Sequence, residues 1–289
     1  MTIETVCVCG AGTMGNGIAQ VAAAAGFRTV LYELNSEVLE KAKATINANL
    51  AFLINKGKLA REESEAIYNR ILFTGNVQDC IADLVIEAII ERPEAKLHLF
   101  HQLAAINSDR TIFASNTSSL SIDSLAAEID NPHRVAGLHF FNPAPLMKLV
   151  EIVKARQTTQ AIIDALIAFT KAIGKTPVLC KDAPGFIVNR VARPYYIESL
   201  RLAEEGVSFE TIDRLLESRG FRMGPFKLMD LIGNDINYAV SCSVHEQLGQ
   251  PERLRPSYMQ QEKVTTGELG KKTGKGYYDY SPLSPGGET

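Results

Sequence analysis

His139 and Glu151 lie twelve residues apart, and both follow or fall within apolar runs: Val-Ala-Gly-Leu before His139, and Leu-Val around Glu151. Imidazole titrates near neutrality, so a histidine at a strand end can take the proton from a substrate hydroxyl. A carboxylate on the second ring nitrogen would hold the tautomer and stabilise the imidazolium. Oxidation of an alcohol needs such a base together with a hydride acceptor. The spacing alone is also compatible with two structural residues. A second constellation stands near the N-terminus, where Gly10-Ala11-Gly12-Thr13-Met14-Gly15 has the spacing G-x-G-x-x-G. In that pattern Gly10 permits a tight turn, Gly12 lets a pyrophosphate approach the backbone and Gly15 allows close helix packing. Glu33, 18 residues after Gly15, ends the next apolar run. A carboxylate there accepts hydrogen bonds from ribose hydroxyls and repels a 2′-phosphate, which favours NAD over NADP.

The elements that must position these groups are legible as patterns. Residues 3–9 read as a buried strand, and an Ala-rich helix over 17–25 ends at Gly26. A second strand covers 28–33, completing a βαβ unit and therefore a parallel sheet. Ser36 is placed to cap a long helix with apolar residues at Leu39, Ala42, Ile46, Leu50, Leu53 and Ile54, and a charged helix follows near 61–70. This helical arm, about 36–70, is longer than a crossover requires. Strands are expected near 71–74, 83–87, 111–114, 135–140, 148–153 and 176–180, with a helix over 93–106. The alternation predicts an α/β fold: a doubly wound, mostly parallel sheet of the Rossmann type. After Lys181-Asp182-Ala183-Pro184-Gly185 the pattern becomes helical. The expected division is therefore a dinucleotide-binding domain over 1–183 and a smaller all-α domain over 184–289, with residues 281–289 frayed.

Composition limits the alternatives. With 46% hydrophobic and 22% charged residues and a net charge of -3, the chain is an ordinary globular one without the basic excess of a nucleic-acid binder. No apolar run approaches the roughly 20 residues of a membrane span, and no targeting segment is recognisable. Five scattered cysteines without C-x-x-C argue against a disulfide framework or a zinc site and fit a reducing, cytoplasmic compartment. His98 and His101 share a helix face but have no further ligand nearby, so no metal is expected. Gly270-Lys-Lys-Thr-Gly-Lys-Gly276 lacks the spacing of a phosphate loop, and Asn116-Thr-Ser is not read as a glycosylation site.

Four stretches carry a closer likeness: Gly10–Gly15, Ala114-Ser-Asn-Thr-Ser-Ser-Leu120, His139-Phe-Phe-Asn-Pro143 and Pro184-Gly-Phe-Ile-Val-Asn-Arg190. Through them, and on to Gly274-Lys-Gly-Tyr-Tyr-Asp-Tyr280, the chain resembles the 3-hydroxyacyl-CoA dehydrogenases, especially the short single-function 3-hydroxybutyryl-CoA enzymes. The resemblance implies reversible NAD-dependent oxidation of a (3S)-3-hydroxyacyl-CoA, with His139 as base and Glu151 as its partner. It implies that Ser118 and Asn189 hold the substrate, and that Glu91, Lys96, Ser118, Asn142 and Lys272 join the glycine turn and Glu33 at the cofactor. Asn49 and Lys56 in the helical arm would contact coenzyme A, and the helical domain would form a homodimer in the manner of most symmetric oligomers. The acyl chain stays open: four carbons, a longer fatty chain or a dicarboxylate.

The chain departs from this pattern at Lys227, where relatives commonly carry Glu, and at Asn234, where they carry an apolar residue. Two other readings compete. One is a dehydrogenase of sugar acids such as gulonate on the same scaffold, against which the intact His139-Phe-Phe-Asn-Pro143 argues. The other is a non-enzymatic NAD-binding protein, against which the joint presence of Ser118, His139, Glu151 and Asn189 argues.

Overall fold

The computed structural model describes residues 2–281, so the tail expected to fray lies, from residue 282 onward, outside the described residues. The chain separates into two compact units between Phe186 and Ile187.

The first unit holds β1 (Thr5–Cys9), α1 (Thr13–Ala24), β2 (Arg28–Tyr32), α2 (Ser36–Asn55), α3 (Arg61–Asn69), β3 (Ile71–Thr74) and β4 (Leu84–Glu87). It continues with α4 (Pro93–Ile106), β5 (Ile112–Ser115), α5 (Ile122–Ala127), β6 (Val135–Phe140), β7 (Leu149–Lys154), α6 (Gln160–Ala172) and β8 (Thr176–Lys181). The sheet order is β3-β2-β1-β4-β5-β6-β7-β8. All neighbours are parallel except β6 and β7, which run antiparallel. This is the expected doubly wound sheet, with its order reversing between β1 and β4, where such folds bind ligands beyond the carboxyl ends of the strands.

Strand β1 shows why both faces are covered. Its side chains alternate, so Val6 and Val8 enter one apolar cluster and Cys7 and Cys9 the other. The first cluster covers one face of the sheet with α1, α2 and α6 through residues such as Ile18, Ile46 and Leu166; the second covers the other face with α4 and α5 through Phe100, Leu103 and Leu125. Burial on both faces is why these strands read as continuous apolar runs. All five cysteines are free thiols.

Three local readings are corrected. Helix α1 begins at Thr13 rather than Gly17, so Gly12 caps it and Gly15 lies inside its first turn. The cap of α2 is Asn35, not Ser36: its Oδ1 accepts from the amides of Glu37 and Val38 at 2.9 and 3.3 Å. Helices α5 and α6 add to the elements expected from sequence.

The second unit is helical: α7 (Val188–Glu204), α8 (Phe209–Ser218), α9 (Pro225–Ile232), α10 (Asn234–Gln247) and α11 (Tyr258–Thr265). Phe226, Met229 and Tyr277 lie in its main apolar cluster. Buried carboxylates tie its ends together. Asp230 accepts from the Tyr277 and Tyr278 amides and the Tyr280 hydroxyl, and Asp213 accepts from the Phe226 amide and the Tyr278 hydroxyl. Among the described residues no helix is long and apolar enough to cross a membrane.

Candidate active site and cofactor site

The glycine turn leaves β1 and enters α1. Gly10 has φ 97°, and a Cβ there would fall 2.6 Å from the Ala88 carbonyl oxygen. A Cβ on Gly15 would sit 1.7 Å from the Gly10 carbonyl oxygen, whereas one on Gly12 would meet nothing within 4 Å. So Gly10 and Gly15 answer to the protein's own packing, and the open face of Gly12 is space for a ligand. No side chain caps the N-terminus of α1, which leaves its amides to an anion. Glu33 braces the turn: Oε2 accepts from the Ala11 amide and Oε1 from the Asn35 amide, each at 3.0 Å. A carboxylate has lone pairs for further donors, so this bracing is compatible with holding ribose hydroxyls. Met14 packs against the apolar cluster beneath. These residues fit a dinucleotide.

Beside the turn, a cavity of about 610 Å³ is lined by Gly12, Thr13, Lys41, Asn49, Phe52 and Asn142, among others. The helical arm thus meets the glycine turn and the loop after β6 around one space. Asn49 also donates to the Gln20 amide oxygen at 3.0 Å. Lys56 is not among the lining residues; it caps the C-terminus of α2 with its ammonium 5.5 Å from the centre of the Phe52 ring. Lys175 steadies the loop on the other side, donating to the carbonyls of Ala144 and Met147 at 2.7 and 2.8 Å.

At the ends of β4 and β5 stands a network of charges. Lys96, 1% exposed, lies 2.6 Å from Glu87 and 3.0 Å from Glu91. Glu87 is fully buried and also accepts from the Ser115 hydroxyl at 2.6 Å and the Ile89 amide at 2.7 Å. Glu91 accepts from the Thr117 hydroxyl, the Ser118 amide and the Ser119 hydroxyl. Burial raises the Glu91 pKa, but Lys96 and the hydroxyl donors outweigh it and hold the carboxyl below its usual range. The network therefore fixes the loop that carries Ser118. Asn116 ties the same loop to β6, accepting from the Phe140 amide at 2.8 Å. Sequence reasoning names Glu91, Lys96 and Ser118 but misses Glu87, Asn116 and Lys175. A lone acid closing the apolar run Leu-Val-Ile-Glu87 was the available signal for the first.

His139 and Glu151 are directly opposite in the antiparallel β6–β7 ladder, so their side chains share one face of the sheet. Nδ1 of His139 lies 2.7 Å from Oε2 of Glu151. The imidazole is 6% exposed, the carboxylate 1%, and the rings of Phe141 and Phe186 lie 4.6 and 5.8 Å from the imidazole. With the carboxylate accepting from Nδ1–H, Nε2 carries the lone pair. The nearby Cys180 is no competing nucleophile: burial, Glu151 and Asp182 push its thiol up to about 12.

Asn189 and Lys272 belong to the second unit. Asn189 lies on the first turn of α7, and Lys272 pairs with Asp235 at 2.5 Å. Of the two departures, Lys227 pairs with Glu217 at 3.0 Å, and Asn234 is fully buried, donating to Asp230 at 2.9 Å. Among the described residues no group of three or more His, Cys, Asp or Glu is placed to hold a metal.

Comparison with known proteins agrees with this architecture. Residues 5–183 match the family model described as 3-hydroxyacyl-CoA dehydrogenase, NAD binding domain, and residues 185–280 match its C-terminal domain. The chain is 50% identical over 283 residues to the 3-hydroxyadipyl-CoA dehydrogenase of Escherichia coli, covering 97% of this chain but only 60% of that relative's length. It is 43% identical to the mitochondrial hydroxyacyl-coenzyme A dehydrogenase of Sus scrofa, covering 96% and 91% of the two chains. The crystal structure of (S)-3-hydroxybutyryl-CoA dehydrogenase from Ralstonia eutropha superposes with a TM-score of 0.93 at 38% identity, over 97% of this chain and 100% of the other. By two matched domains, sequence identity and fold, the chain belongs to the 3-hydroxyacyl-CoA dehydrogenase family.

Proposed function

We propose that the protein catalyses the reversible NAD-dependent oxidation of a (3S)-3-hydroxyacyl-CoA to the 3-oxoacyl-CoA. The observation that carries this reading is the buried His139–Glu151 pair, 2.7 Å apart, on the unit that also bears the glycine turn. NAD, when bound, supplies the hydride acceptor. Nε2 of His139 takes the proton of the 3-hydroxyl, and Glu151 stabilises the imidazolium through Nδ1–H. Ser118, on the loop held by Glu91, donates to the substrate oxygen, and Asn189 holds the substrate from α7. The glycine turn, Glu33, Glu91, Lys96, Asn142 and Lys272 form the cofactor site, with Glu33 selecting NAD over NADP. Asn49, on the lining of the cavity beside Gly12, contacts coenzyme A, and Lys56 reaches its phosphates as a point charge.

A division at 183/184 into a dinucleotide-binding and a helical domain fits this assignment of roles. The helical domain also forms a homodimer in this reading, supported by the exposed apolar side chains of Leu215, Phe221, Leu231 and Ile236. Free thiols are consistent with a cytoplasmic enzyme, and fatty-acyl breakdown is the fitting setting for the reaction.

The test is oxidation of NADH and of NADPH by the purified protein with 3-oxoacyl-CoAs and with a sugar-acid substrate. Consumption of NADH with the thioesters alone is the expected result. Turnover of the sugar acid, a preference for NADPH, or NADH binding without turnover of any thioester would defeat the reading.

A further inference from the structure

Helix α7 carries a cation that the second unit does not neutralise. Arg193 is 3% exposed, and no salt bridge among the described residues involves it. Its partners are neutral: Nε donates to the Asn189 carbonyl at 3.0 Å, and Nη1 to the Asn237 carbonyl at 3.1 Å and the Ser241 hydroxyl at 2.8 Å. The ring of Tyr196 lies 5.0 Å from the guanidinium carbon. The unit's buried carboxylates are engaged elsewhere, Asp213 with the Phe226 amide and Tyr278 hydroxyl, and Asp230 with the Tyr277 and Tyr278 amides. Burial lowers the guanidinium pKa to about 10, and Tyr196 offsets this only in part. Asn237, Ser241 and Gln260, all buried, make the surroundings polar. Charges are almost never fully buried unless paired, and a buried cation without a counter-charge is costly. A bound anion removes that cost.

We propose that Arg193 is the receptor for a carboxylate at the far end of the acyl chain, so that the substrate is a 3-hydroxy-dicarboxylyl-CoA of about six carbons. The proposal rests on the placement of the hydroxyl-bearing carbon beside Asn189. Arg193 follows Asn189 by four residues, about one helical turn on the same face, a rise of about 6 Å. Three carbon–carbon bonds of about 1.5 Å each carry an extended chain about 4 Å beyond the hydroxyl-bearing carbon. A carboxylate at that point falls within reach of the guanidinium, whose planar array of N–H donors suits carboxylate oxygens. A chain ending in a methyl group would bring apolar surface to an unpaired charge, and sites built for a polar partner reject analogues lacking it strongly.

The measurement is kcat/KM with NADH for 3-oxoadipyl-CoA against 3-oxohexanoyl-CoA, which differ in the terminal carboxylate at equal chain length. It is paired with calorimetric binding of adipyl-CoA and hexanoyl-CoA to the NAD-loaded protein. The native protein should favour the dicarboxylate by about 100-fold in both. In Arg193→Met the ratio should collapse to near one, and Arg193→Lys should restore part of it; a merely structural arginine would lower both substrates together and leave the ratio intact. Equal handling of the two chains by the native protein overturns the proposal, as does a ratio preserved in Arg193→Met. Where Arg193→Met fails to fold, Arg193→Lys carries the comparison, and an unchanged ratio in it with both chains bound as in the native protein overturns the assignment to Arg193. Tighter binding of adipyl-CoA without turnover of any thioester would sink the dehydrogenase reading and leave the carboxylate site standing.

Discussion

Lys96 and Arg193 are both cations withdrawn from water, at 1% and 3% exposure, yet the protein treats them differently. Lys96 sits between two carboxylates at 2.6 and 3.0 Å. Arg193 meets two carbonyls, a hydroxyl and an aromatic face. In the first unit the buried cation is answered by carboxylates of the protein itself, and the result is a fixed loop holding Ser118. In the second unit the cancellation is missing, and the charge is left for a ligand. A neutralised buried charge speaks of positioning; an uncancelled one speaks of recognition.

The largest effect should come from breaking the neutralised side. Lys96→Met strands the buried Glu87 carboxylate and should cost about 3–5 kcal/mol in denaturant unfolding. A loss below about 1 kcal/mol would mean that Lys96 contributes little to the network. His139→Gln should lower kcat by at least ~10²-fold, about 2.7 kcal/mol, with NADH affinity little changed. Near-normal turnover would remove His139 from the chemistry. Glu33→Ala should weaken NAD binding by about tenfold, or about 1.4 kcal/mol, and narrow the preference over NADP, as calorimetry with both dinucleotides would read. An unchanged preference would confine Glu33 to bracing the turn. The smallest effect sharpens the contrast most. Arg193→Met removes an unpaired cation and leaves the Asn189 and Asn237 carbonyls within helices, so its stability should change by less than about 1 kcal/mol or rise. Destabilisation equal to that of Lys96→Met would erase the difference between the two cations.

Much of the site could be read before folding was considered, because its parts are local. The glycine turn needs only the order of three glycines between a strand and a helix. Helix α1 was harder. Gly15 lowers helix propensity, so the pattern places the start after it, while the fold requires Gly15 inside the helix, where a Cβ would collide with the Gly10 carbonyl. The cap of α2 shifted by one residue for a similar reason: Asn35 and Ser36 are both good capping residues, and backbone geometry selects between them. Tertiary pairing is a different matter. His139 and Glu151 could be suspected from residue type, but their 2.7 Å contact follows from the β6–β7 register.

The sequence by itself determined the alternation of strands and helices, the dinucleotide turn with Glu33, and the identity of the groups able to move a proton. These depend on side-chain type and short-range backbone preference, which neighbouring residues carry. Only the tertiary structure decided which charges meet. Glu87 reaches Lys96 because β4 and α4 pack together, and Arg193 loses water because α7 lies against α10. Burial and counter-charge are properties of surroundings assembled from distant segments. An arginine on an amphipathic helix therefore reads as a solvated one until the fold encloses it.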